Sequence, residues 1–108
     1  MGTTEAAQEA IDLLVKQIVE AVHPLKIVLF GSAARGDTGR DSDLDILVVM
    51  PDGTERLRTA KGLYQRIRGV KIPYDIVVAT PELLERHKNT PGLIYGDILR
   101  EGVTLYAA

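Results

Sequence analysis

Three aspartates, Asp43, Asp45 and Asp75, have the type and spacing that could do chemistry. Asp43 and Asp45 lie two apart at the start of an apolar, β-branched run, Leu44 to Met50, and the period of two in a strand sends both side chains to one face. Asp75 stands early in another such run, between Tyr74 and Ile76-Val77-Val78, an apolar setting for a carboxylate. If the two runs are neighbouring strands, three carboxylates converge. Like charges so close repel or take up protons unless a divalent cation lies between them, and oxygen-only ligands select a hard ion, Mg²⁺ or Mn²⁺. Upstream, Gly31-Ser32-Ala33-Ala34-Arg35-Gly36 directly follows a further apolar run. Glycine at a strand end lets a ligand reach the backbone, and the N–H groups at the start of a helical turn, extended by the Ser32 hydroxyl, suit a phosphate. An anion cradle beside a hard-metal cluster is what holding a metal-bound nucleoside triphosphate, and displacing pyrophosphate from it, requires.

The elements that must position these groups alternate between helix and strand. Ala7, Ile11, Leu14, Ile18 and Val22 recur at helical spacing, so a helix is predicted over residues 4–22, with Thr3 or Thr4 as its cap and His23-Pro24 as its stop. Lys26 to Phe30 reads as a buried strand and Leu44 to Met50 as a second, closed by the turn Pro51-Asp52-Gly53. Leu57, Ala60, Tyr64 and Ile67 predict a helix from about Thr54 to Arg68, stopped by Gly69. Val70 to Ala79 predicts a third strand, and Pro73 within it requires that the strand begin there or lie at a sheet edge. Thr80-Pro81-Glu82 has the cap, first-turn proline and early acid of a helix start, running to about Lys88. Pro91 opens a short helix to about Arg100, Gly102 ends it, and Val103 to Tyr106 adds a last strand. The expectation is one α/β domain over residues 1–108, a small mixed sheet of about four strands backed by four helices.

Composition bounds the rest. At 108 residues the chain is the size of one domain, and 45% apolar with 26% charged residues excludes disorder as its main state. Without cysteine, disulfides, thiolate metal sites and a cysteine nucleophile are excluded, which leaves oxygen or the two histidines to hold any metal. A net charge of −2 argues against duplex DNA as a partner. Apolar stretches fall short of a membrane span and the start lacks the basic character of a signal peptide, so a cytoplasmic protein is expected.

Gly31-Ser32, ten intervening residues, Asp43-Leu44-Asp45 and a lone Asp75 on the next strand resemble the signature of the DNA polymerase β nucleotidyltransferase superfamily. The stretch from Gly31 through Asp41-Ser42-Asp43-Leu44-Asp45-Ile46-Leu47-Val48, with the ending Leu99 to Tyr106, is closer still to the minimal nucleotidyltransferases, the MNT proteins, many of which pair with HEPN-domain toxins. The resemblance implies Gly31 and Ser32 on the β- and γ-phosphates, and Asp43 and Asp45 on Mg²⁺. Asp75 would complete the second metal position and help deprotonate the attacking hydroxyl. It also implies AMP transfer from ATP to a hydroxyl of a HEPN toxin. The 33 residues after Asp75 leave no length for the second domain of larger relatives, so the acceptor site is expected to be completed by another chain, in a homo- or hetero-oligomer.

Other readings stand beside these. Ser32 could serve as a plain helix cap, and Arg35 could bind phosphate or pair with Asp41 or Asp45. Arg56, Arg58, Lys61, Arg66, Arg68 and Lys71 form either a solvated face or a docking surface for an acidic partner, the nucleotide's phosphates or RNA. His23 and His87 read as structural, and Tyr64 and Tyr74 as packing groups. Two alternatives to protein adenylylation remain: an antitoxin acting by binding alone, and a small-molecule nucleotidyltransferase of the aminoglycoside type completed by dimerisation.

Overall fold

In the computed structural model, which describes residues 5–35 and 43–108, the chain forms four helices and one four-stranded mixed sheet. The first helix, α1, spans Glu5–Val22 and buries Ala7, Ala10, Ile11, Leu14 and Ile18, the stripe its sequence predicts. His23 ends it in the left-handed region, at φ 48°, with its N–H on Val19 O, and Pro24 cannot continue the helix. The Thr3 and Thr4 caps lie outside the described residues.

Strands β1 (Lys26–Phe30) and β2 (Leu44–Val49) pair antiparallel, with Phe30 opposite Asp45. β3 (Tyr74–Ala79) runs parallel to β2, and β4 (Val103–Ala107) pairs antiparallel with β1, giving the order β3-β2-β1-β4. Both expectations for Pro73 hold, since β3 begins just after it and lies at the sheet edge.

Strand alternation divides the core in two. Ile27, Leu29, Leu44, Ile46, Val48, Ile76 and Val78 pack with α1 and with α2 (Arg56–Arg66). On the other face, Val28, Leu47, Val49 and Ala79 pack with α3 (Pro81–His87) and α4 (Tyr95–Glu101), chiefly through Ile98. Thr80 caps α3, its hydroxyl accepting a 3.2 Å bond from Leu83 N–H, and Pro81 takes the first turn.

Two helices differ from their predicted form. α2 is shorter at both ends, and its buried position is Leu63, while Leu57 is 85% exposed. The helix packs through its second half, so the first turn stands clear of the core and an apolar residue there finds no cover. It stops at Ile67, which is buried in extended conformation, before Gly69 is reached. α4 starts at Tyr95, not Pro91: Gly92 follows the proline at φ 85°, a conformation that makes a turn and cannot open a helix.

Candidate active site

The carboxylates sit where β1 ends and β2 and β3 begin. Asp45 and Asp75 are register partners on adjacent parallel strands, so both side chains leave the same face of the sheet, the one that α3 and α4 cover further along. Asp43 precedes β2 by one residue and is exposed, as is Asp75, while Asp45 is half-buried. Burial raises the Asp45 pKa first, then the charges of Asp75 and Asp43, and Arg35 opposes them. The three acids therefore feel one another and remain open to solvent. They do not form a closed cage: among the described residues no group of three or more such side chains is gathered closely enough to hold a metal ion as it stands. Like charges favour standing apart, and Asp43 and Asp75 are both exposed. The donor set, all carboxylate oxygen, fits a hard divalent cation.

Gly31 is fixed twice. Its φ of 76° disfavours any side chain, and a Cβ there would overlap Asp45 Oδ2. The Gly31 backbone and the half-buried acid are thus closely apposed. The chain then turns as expected: Arg35 N–H reaches Gly31 O at 3.3 Å and Ser32 O at 3.1 Å, one helical turn with Ser32 half-buried at its start. Gly36, Asp41 and Ser42 lie outside the described residues, and with them the pairing of Arg35 with Asp41.

Arg35 lies near enough to Asp45 to lower its pKa, and it also makes an ion pair of 3.9 Å with Glu101 of α4. Nothing in the sequence singles out Glu101. Between this turn and α4 lies a cleft of about 230 Å³, walled by Phe30, Gly31 and Arg35 on one side and by Ile94, Ile98 and Glu101 on the other. Phe30, opposite Asp45 in the β1–β2 ladder, is a lining residue that sequence reading treated only as the end of an apolar run.

The basic residues of α2 and its exit are exposed and belong to the sheet face away from Asp45. That position sets them away from the acids, on the opposite face of the sheet, and fits a solvated face and a docking surface alike. Tyr64 and Tyr74 stack at 5.8 Å and 13°. Burial pushes the Tyr74 phenol above its usual range, Tyr64 adds to the effect and Arg68 offsets part of it. His87, in the last turn of α3, faces Thr90 Oγ1 at 3.2 Å, a local contact that agrees with a structural role.

The site thus sits in a three-layer α/β fold, with paired acids at strand ends beside a glycine turn. Residues 11–103 match the family described as Nucleotidyltransferase domain, and the chain belongs to that family. Its fold is similar to that of a protein from Sulfolobus solfataricus named a putative nucleotidyltransferase, with TM-score 0.61 and 23% identity over 99% of this chain and 92% of that one. It is also similar to a chain of a toxin–antitoxin complex solved with AMP-PNP, with TM-score 0.62 and 22% identity over 91% of this chain and 73% of that one. No curated protein matches it in sequence. No helix among the described residues is long and apolar enough to cross a membrane.

Proposed function

We propose that this nucleotidyltransferase moves a nucleoside monophosphate, AMP from ATP, onto a hydroxyl of a partner protein. The observation that carries the reading is the in-register pairing of Asp45 with Asp75 on an open part of the sheet, with the Gly31 backbone against Asp45. A surface that only binds a partner has no physical reason to set like charges side by side in this way.

Each residue takes a role its place supports. The backbone N–H groups at Gly31 and Ser32, with the Ser32 hydroxyl, bind the β- and γ-phosphates, and Arg35 adds positive charge beside them. Asp43 and Asp45 would hold Mg²⁺ or Mn²⁺, with Asp75 at a second position. When bound, the cation neutralises the charge that these carboxylates and the triphosphate set against each other. Asp75 accepts the proton of the acceptor hydroxyl, whose oxygen bonds to the α-phosphorus in line as the bond to the bridging oxygen breaks and pyrophosphate leaves.

The toxin–antitoxin relative supports a protein as acceptor, and the MNT-like motifs make a HEPN-domain toxin the first candidate. A triphosphate donor fits a cytoplasmic protein. Incubation with ATP labelled at the α-phosphate, Mg²⁺ and a HEPN-domain partner protein is expected to label that protein, and the double variant D43N/D45N is expected to abolish the label. Label that survives the double variant refutes the roles given to these acids. Full neutralisation of the toxin in cells by the unlabelling variant would make binding alone the better account, and label on an aminoglycoside instead of the protein would favour the small-molecule reading.

A further inference from the structure

β3 is held to the sheet along β2 only, and Asp75 is its second residue, at the end where an edge strand opens most easily. Support for that end comes from the opposite face. Leu44 N–H bonds to Pro73 O at 2.9 Å, which sets the phase of the parallel ladder and turns the Ile76 N–H outward, away from β2. That donor is met by Tyr64 of α2, whose hydroxyl oxygen accepts from it at 2.7 Å. The Tyr64 ring also stacks on Tyr74. One side chain therefore grips the residues immediately before and immediately after Asp75.

We propose that Tyr64 is a positioning residue for Asp75: by holding Tyr74 and Ile76 it fixes the stretch of backbone that sets the Asp75 carboxylate beside Asp45. The proposal rests on the role given to Asp75 above. Tyr64 belongs to the α2 side of the sheet and Asp75 projects from the other, so the effect passes through the backbone and not through contact with substrate. Simple packing does not account for the arrangement, because Tyr64 remains 43% exposed while its hydroxyl satisfies an edge donor that water could otherwise reach.

Two variants separate the contacts. Tyr64→Phe keeps the ring and its stack but removes the acceptor, and Tyr64→Ala removes both. The readouts are amide hydrogen exchange at Ile76, Mn²⁺ affinity from the paramagnetic resonance of the free ion, and kcat and KM for ATP in the transfer assay. Faster exchange at Ile76 is expected in both variants. Mn²⁺ affinity and kcat are expected to fall about tenfold in Y64F and further in Y64A, as for other residues that orient a metal ligand from behind. KM for ATP is expected to stay unchanged, because Gly31 and Ser32 follow a different strand. In an Asp75→Asn background, Y64F is expected to weaken Mn²⁺ binding no further. Faster Ile76 exchange in Y64F with unchanged Mn²⁺ affinity and kcat overturns the proposal alone, as does an equal loss of Mn²⁺ affinity in the Asp75→Asn background. A wild-type protein that neither binds Mn²⁺ nor transfers label overturns the nucleotidyl-transfer reading and this proposal together.

Discussion

The sheet face under α3 and α4 has two halves built on the same three strands. In one half Val28, Leu47, Val49 and Ala79 are buried against Ile98; in the other, toward the end of β1 and the starts of β2 and β3, stand Asp45 and Asp75, with Phe30 at the boundary. The alternation that sends Leu47 into the core sends Asp45 to the same side, so secondary structure does not distinguish them. Cover does. The two helices lie over one end of the strands and leave the other open, and the open end carries charges whose mutual repulsion a packed core would not tolerate. In the proposed function, residues there serve chemistry at some cost to stability.

The largest effect that would break this comparison is on activity. Asp45→Asn is expected to lower transfer of labelled AMP by about 10³-fold or more, because in the proposed reaction it removes a charge that would hold the metal of the triphosphate. Its melting temperature should be no lower than that of the parent. A variant that keeps its activity, or loses it only through unfolding, would erase the distinction between the two halves.

Leu47→Ala is the mirror experiment, two residues along the same strand. Leu47 is fully buried, and its truncation is expected to destabilise the fold by about 3 kcal/mol, read from urea denaturation. Activity per folded molecule should persist well below the melting temperature. Thr80→Ala probes the packed end more gently. The lost cap on α3 is expected to cost about 1 kcal/mol by the same measurement, with transfer unaffected.

The two halves were also unequally legible in the sequence. Period-two spacing is a local signal, so Asp43 and Asp45 could be placed on one face, and the stripe in α1 was long enough to fix its buried side. The short α2 offered only a few apolar positions, and Leu57 fitted the pattern without meeting any core. The adjacency of β2 and β3 could be posed only as a condition, because parallel pairing is a tertiary fact with no turn between the strands to announce it. For the same reason neither the Arg35–Glu101 pair nor the hold of Tyr64 on Ile76 could be read, each joining residues distant in sequence through charges and hydroxyls of ordinary type. Motifs revealed the groups that would touch the substrate, whereas the groups that hold those in place became visible only in the fold.

The smallest effect sharpens the comparison most directly, because it measures the penalty carried by the open half. In the folded protein the pKa of Asp45 is raised above its ordinary 3.8, by burial first and then by Asp75 and Asp43. The native state therefore binds this proton more readily than the unfolded chain. Stability falls as pH rises from 3.8 through the raised folded value, and above that value the full penalty is present. Asp45→Asn removes the charge, so in EDTA the variant is expected to melt slightly above the parent at pH 7. The difference should shrink as pH is lowered and vanish below 3.8, where the carboxyl is protonated in both states. Added Mg²⁺ should raise the melting temperature of the parent at pH 7 and leave the variant nearly unmoved, since a cation that binds only the native state stabilises it by mass action. A parent that melts above the variant at pH 7 in EDTA would mean that Asp45 is a stabilising group like its apolar neighbours, and the division of this face into packing and chemistry would fail.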